Sequence, residues 1–145
     1  KVSSIAKELE MSPQDLMAIM SFETQGSFDA SKRNDIGATG LLQFTRRTAK
    51  GLGTTTDKLS KMSPERQLDF VRKYLEPYKG KLGSLEDAYL SVLLPSKMGS
   101  KPTDVVMSKG RLGYAGNAYL DKNKDKKITM QEIMRAMRGY TRHEI

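Results

Sequence analysis

The chain has no cysteine and no tryptophan, and its one histidine, His143, sits close to the C-terminus. Without cysteine there are no disulfides and no thiolate-bound metal. A single histidine argues against a multi-histidine zinc site or a Ser-His-Asp triad. Acid–base chemistry therefore falls to carboxylates, tyrosine or lysine. The lack of cysteine leaves the compartment open, since exported proteins also do without it. No apolar run approaches the roughly 20 residues needed to span a bilayer, and no secretory signal pattern opens the chain. Position 1 is Lys rather than Met, as expected of a segment processed or excised from something longer. Basic stretches interleaved with aromatics are absent too, so no nucleic-acid motif is present.

The 145 residues suit one compact domain with a real core. The net charge of +8 draws such a protein to polyanions, among them anionic cell wall. These charges are spread along the chain, as on a solvated lysine surface, so they support a wall-binding reading without establishing it.

The patterning is helical throughout. Ser12-Pro13 and Ser63-Pro64 are helix starts, with Ser as N-cap and Pro at the first helical position. Leu16, Ile19 and Met20 follow the first at helical spacing, with Gly26 as a stop. Leu68, Val71, Tyr74 and Leu75 follow the second. A further helix is expected from Leu41 to Lys50, ending at Gly51. Ser84 to Asp87 resembles a capping box before an apolar run that Pro95 ends. The segments 29–40, 52–60 and 97–116 read as loops, and no strand-like alternation of useful length appears. We expect an α-rich domain over residues 1–118, with residues 119–145 as a short appendage packed on it.

Glu23 lies seven residues after Leu16, on the face that Ile19 and Met20 share. A carboxyl that ends an apolar stripe is partly desolvated, which raises its pKa and suits a general acid. On geometry alone an exposed helix-end glutamate is the preferred reading, and the surrounding sequence tips the balance the other way. Thr24 follows Glu23. After a polar loop comes Gly37-Ala38-Thr39-Gly40-Leu41-Leu42-Gln43-Phe44, then Thr48-Ala49. This pattern resembles the lytic transglycosylase family with the lysozyme-like fold, particularly its phage-associated members. There a helix-end glutamate and a small hydroxyl residue precede Gly-Ala-x-Gly-Leu-Met-Gln and, later, Thr-Ala. The family's third element, Ala-Tyr-Asn-Ala-Gly, falls on residues 88–92, where Tyr89 matches and Leu90 replaces the asparagine. Arg46 stands where the family has proline. The likeness covers roughly residues 12–96.

The resemblance implies a mainly α, lysozyme-like domain that cleaves the β-1,4 bond between N-acetylmuramic acid and N-acetylglucosamine in peptidoglycan. Glu23 would be the acid and then the base, closing a 1,6-anhydro ring with no water consumed. A hydrolytic muramidase would instead need a second carboxylate, for which Asp29 and Asp35 are the nearby candidates, although both suit loop caps better. A non-catalytic wall-binding module is the other alternative. Expected substrate contacts are Thr24, Gln43, Phe44 and Tyr89. Gln43 offers both a donor and an acceptor to sugar hydroxyls or N-acetyl groups. Tyr89 is balanced between a role near Glu23 and core packing; Phe28 and Phe44 are cleft wall or core. Gly37 and Gly40 permit positive φ and close backbone approach. The expected partner is the glycan strand, with no nucleic acid, and the isolated domain is expected to be a monomer. Its place of action would be the bacterial wall, as a virion component or a released lysis enzyme.

Residues 121–132 read as a twelve-residue EF-hand loop for Ca2+. Asp121, Asn123 and Asp125 take positions 1, 3 and 5, and Glu132 closes at position 12. Lys127 would offer its carbonyl, and Thr129 a side-chain oxygen or a water. Ile128 holds the apolar position 8, and a helix with Ile133, Met134 and Met137 follows. Lys126 replaces the usual glycine where the turn wants positive φ, and the loop's four lysines repel a dication. The expected site is structural and of modest affinity, because one EF-hand has no partner with which to open.

Overall fold

The computed structural model describes residues 1–34, 36–109 and 117–141, with side chains up to residue 137. Asp35 and His143 lie outside the described residues. Among those described, the helices are α1 (Val2–Leu9), α2 (Pro13–Glu23), α3 (Arg46–Gly51), α4 (Thr56–Ser60), α5 (Pro64–Leu75), α6 (Leu85–Leu93) and α7 (Met130–Thr141). Two short strands, β1 (Val105–Ser108) and β2 (Lys127–Thr129), pair antiparallel. The fold is mainly α, as expected. No helix among the described residues is long and apolar enough to cross a membrane.

The serine caps form as the sequence suggests. Ser12, Ser63 and Ser84 accept from the backbone N–H of Asp15, Arg66 and Asp87 at 3.4, 3.2 and 3.1 Å. Each satisfies one of the amide donors that a helix start leaves open. At Ser84 the box does not close on itself: the Asp87 carboxylate accepts from Gly99 N at 2.6 Å, tying the start of α6 to the loop beyond its end. α6 stops at Leu93, and Pro95 opens a single 3-10 turn.

α2 is the central helix, packed by α1, α6 and α7. Leu16, Ile19 and Met20 are buried as expected, but so are Ala18, Ser21 and Phe22. The apolar stripe expected on one face is thus a helix enclosed on most sides, because the C-terminal helix covers the face a two-layer arrangement would leave wet. Ile133, Met134 and Met137 from α7 join the same hydrophobic core as Leu16, Ile19 and Tyr89.

Three expectations change. The helix expected from Leu41 to Lys50 begins only at Arg46, capped by Thr45. Residues 39–44 form a tight hairpin instead, in which Thr39 and Phe44 exchange both backbone hydrogen bonds at 2.9 Å. Gln43 sits at φ +52°, which no right-handed helix accepts. The segment 52–60 contains α4, and 97–116 contains β1. Four residues are too short for alternation to register in sequence, and β1 exists because β2 pairs with it.

Gln67 on α5 holds the hairpin in place. It is wholly buried. Its Nε2 donates to the carbonyls of Ala30 and Leu59 at 2.9 Å each, and its Oε1 accepts from Leu41 N at 2.7 Å. Gly40 has φ +90°, and a Cβ there would strike the Gln67 carboxamide. The glycine is therefore required twice, by conformation and by space. Gln67→Leu would leave three buried backbone groups unpaired, each costing about 1–3 kcal/mol. We expect a loss of about 3 kcal/mol or more in urea unfolding; a change below about 1 kcal/mol would contradict this role.

Candidate active site

Glu23 is the last residue of α2, and the way that helix ends aims it. Gly26 N donates to Ser21 O at 2.7 Å and Gln25 N to Phe22 O at 3.3 Å, the double bond of a Schellman stop. The left-handed residue of that motif is Gln25, at φ +55°, one before the expected Gly26, which is also left-handed at +84°. Thr24 locks the turn. Its hydroxyl donates to Met20 O at 2.7 Å and accepts from Phe28 N at 2.9 Å. With both capacities used and no exposed surface, Thr24 positions Glu23 rather than meeting the cleft.

Glu23 opens into a cleft of about 680 Å³. Phe22, Leu42, Val92 and Leu93 supply apolar walls, while Gln43, Asn34 and Asn117 bring carboxamides. Burial pushes the Glu23 carboxyl up from its ordinary 4.5 to about 7. A hydrogen bond from the Tyr89 hydroxyl opposes this by favouring the carboxylate. Tyr89 is itself buried, its ring edge-on to Phe22 at 5.5 Å, and its own ionisation is pushed far up by burial and by Glu23. It thus remains a neutral donor at every relevant pH. The two readings of Tyr89 do not compete: it is packed in the core and bonded to the acid at once.

Gln43 lines the cleft. Its amide nitrogen donates to Lys32 O and Gly40 O at 2.9 Å each, stapling the hairpin, so the amide oxygen is the atom left for a ligand. Phe44 does not line the cleft. It is buried, with its ring 5.7 Å from that of Tyr74. Gly37 and Gly40 have the expected positive φ, +87° and +90°. Asp29 is a loop cap: its carboxylate accepts from the Ser31 amide and hydroxyl at 2.8 and 2.6 Å. Among the described residues of the cleft wall, Glu23 is the one carboxylate.

Sequence reasoning missed Asn117 and Tyr119. Both line the cleft, Tyr119 from the single 3-10 turn Ala118–Leu120 and Asn117 from just before it, ahead of the acidic loop. Tyr119 is 60% exposed and near enough to Tyr89 to affect its ionisation. An exposed aromatic following a loop carries no periodicity by which to find it. Lys32 and Arg33 rim the other bank; Arg33 is engaged by Asp57 at 3.2 Å and by Thr39 at 3.1 Å.

A helical domain whose central helix delivers a protonatable carboxyl to a cleft of amides and aromatic rings suits acid-catalysed bond cleavage. The sequence agrees with the geometry: residues 2–92 match the family model of the transglycosylase SLT domain, and the chain belongs to that family. Its members are peptidoglycan lytic transglycosylases acting on cell-wall glycan, and the chain is an enzyme of this kind. Comparison with curated proteins and with solved structures finds no match.

The raised pKa of Glu23 has a stability consequence. Below about pH 4.5 the Glu23 carboxyl is neutral folded and unfolded, and contributes nothing. Between 4.5 and about 7 the unfolded chain sheds the proton first, so folded stability falls as pH rises. Above about 7 the loss is complete, on the order of 3 kcal/mol at most. Glu23→Gln removes the ionisation. Its melting temperature should exceed that of the wild type at about pH 8 and match it at about pH 4; the same difference at both pH values would contradict a buried, ionising Glu23.

Proposed function

We propose that the enzyme cleaves the β-1,4 bond between N-acetylmuramic acid and N-acetylglucosamine and releases a 1,6-anhydro product, with Glu23 acting alone. The observation that carries this is Glu23 itself, a carboxyl kept protonated by burial at the cleft and bonded by the Tyr89 hydroxyl, so that one group is able to give a proton and take one back. A carboxyl whose pKa is about 7 can protonate the bridging oxygen as the C1–O bond breaks. The N-acetyl carbonyl of the muramic sugar stabilises the cation forming at C1. The resulting Glu23 carboxylate, held by the Tyr89 hydroxyl, then takes the proton from the sugar's own 6-hydroxyl as that oxygen closes on C1. The proton returns to Glu23, and no water is consumed. The internal hydroxyl is favoured because it is already in place, whereas a water must be captured and oriented. Gln43, through its amide oxygen, serves as a substrate contact.

Resemblance to phage-associated members supports a role in phage-driven wall lysis or penetration, as a monomeric domain of a virion component or released lysis enzyme. The test of the chemistry is mass spectrometry of digested peptidoglycan. Anhydro-muropeptides are the expected products, and reducing ends would make the enzyme a muramidase. Glu23→Gln should lower lysis of outer-membrane-stripped cells by roughly a thousandfold or more while keeping the fold. Retained lysis would falsify the assignment of Glu23.

The C-terminal loop is proposed as a structural Ca2+ site, with Asp121, Asn123, Asp125, Lys127, Thr129 and Glu132 as its ligands. The donor set fits. Carboxylate oxygens of Asp121, Asp125 and Glu132 lie within 4.8 Å of one another, and a small inward movement of these side chains would bring all three to a Ca–O distance of about 2.4 Å from one ion. Lys126 has the positive φ that position 6 requires, +68°. Backbone amides already hold the loop closed: Lys126 N donates to Asp121 at 2.9 Å, while Lys122 N and Thr129 N each donate to Glu132 at 3.1 Å. The pairing of Ile128 with Met107 gives the loop's short strand a partner within the same chain, which favours a static role. Millimolar calcium should raise the melting temperature by several degrees and give a calorimetric binding signal that Glu132→Gln abolishes. No heat and no thermal shift would exclude the site.

A further inference from the structure

The acidic loop sorts its charges. Asp121 is only 6% exposed, while Lys122, Lys124 and Lys126 are exposed. Lys109 N donates to Lys126 O at 2.8 Å, continuing the β1–β2 ladder by one bond and adding a fourth lysine beside these three. Together with Ala118, Tyr119 and the one carboxylate residue Asp121 they line a hollow of about 520 Å³, where the four cations outnumber the single acid. None of the four forms an ion pair among the described residues. Like charges gathered in one concavity repel one another and focus a positive potential there, and an anionic ligand relieves the repulsion.

The hollow is not remote from the catalytic cleft. Tyr119 lines both, so the two concavities adjoin at that side chain. A branched occupant suits this layout, with a neutral sugar chain on one side of Tyr119 and a carboxylate-bearing arm on the other. Peptidoglycan has this form, because a short acidic peptide hangs from the lactyl group of each muramic sugar. A nucleic acid would satisfy the charge but not the continuity with a sugar-cleaving cleft.

We propose that the hollow formed by Lys109, Lys122, Lys124 and Lys126 is a subsite for the carboxylates of the peptidoglycan stem peptide, with Tyr119 dividing it from the glycan cleft. It deepens the wall-glycan reading and rests on it. The subsite lies outside residues 2–92, the segment matching the family model, so it is a specificity that this chain's own C-terminal portion adds.

The experiment compares peptide-bearing glycan strands with strands stripped by an amidase, using the full chain at fixed calcium. Wild type should show a KM about tenfold lower on the peptide-bearing strands, a preference that fades as salt rises. Lys109→Glu and Lys124→Glu should each raise that KM several-fold with kcat unchanged, and leave cleavage of stripped strands at the wild-type rate. Circular dichroism and melting confirm that each variant folds. Binding is read separately with Glu23→Gln by cosedimentation with the two kinds of strand, where the same preference should appear without turnover. Equal KM on both substrates, or a charge reversal that weakens both alike, overturns the subsite. If wild type cleaves neither and Glu23→Gln binds neither, the wall-glycan reading fails and the subsite falls with it.

Discussion

The structure turns on keeping one carboxyl group protonated at the end of an enclosed helix. α2 could be an ordinary amphipathic helix with a wet outer face. It is instead covered on that side by α7, which comes from the far end of the chain. Burial raises the Glu23 pKa, and the Tyr89 hydroxyl limits the rise, so the group settles at about 7. Either effect alone would serve half of the cycle. A carboxyl with burial only would give its proton up too reluctantly, and one with hydrogen bonding only would not hold a proton at neutral pH. A single residue that is first acid and then base needs a value between these extremes.

Holding the carboxyl is of no use unless the opposite wall is rigid. That wall is the hairpin of residues 39–44, whose own ladder is a single pair of backbone bonds. Its rigidity comes from two glutamines working from opposite sides. Gln67 reaches up from α5 to bond Leu41 N, Ala30 O and Leu59 O. Gln43 closes the loop on itself through Lys32 O and Gly40 O. The loop's polar groups are satisfied by side chains where no ladder is long enough to do so. The glycine at position 40 follows, since the Gln67 carboxamide fills the space a side chain would need.

How far the sequence discloses this depends on the range of the interactions. The serine caps, the apolar spacing of α2 and α5, and the end of α6 just before Pro95 rest on patterns within a few residues, and all are legible. Glu23 and its neighbouring block are legible through the family pattern, and the helix-end glutamate is legible from spacing. What escapes is non-local. The helix expected over Leu41 to Lys50 has good local propensity, yet the Thr39–Phe44 pairing and Gln67 override it up to Thr45. Thr24 and Phe44 lie in the motif but are buried, Thr24 bonded to Met20 O and Phe28 N and Phe44 packed beside Tyr74. Gln67, Asn117 and Tyr119 have no motif to mark them, and their roles exist only once distant segments meet.

The C-terminal loop resolves an apparent contradiction in its own composition. Four lysines within residues 121–132 oppose three carboxylates, an unpromising balance for a loop meant to hold a dication. The contradiction eases because oxygens of the three carboxylates lie within 4.8 Å of one another while the lysines are exposed. A cation inside would then neutralise the acids that offset the lysines and strengthen the positive field over the hollow. An anion outside would screen the lysines and make the cation easier to hold. Such coupling must be reciprocal, because binding free energies form a closed cycle. On this reading the lysine in place of the usual glycine at position 126 is not a decayed residue. It accepts backbone strain at φ +68° and places one more charge on the face that the anionic arm of the wall polymer would meet.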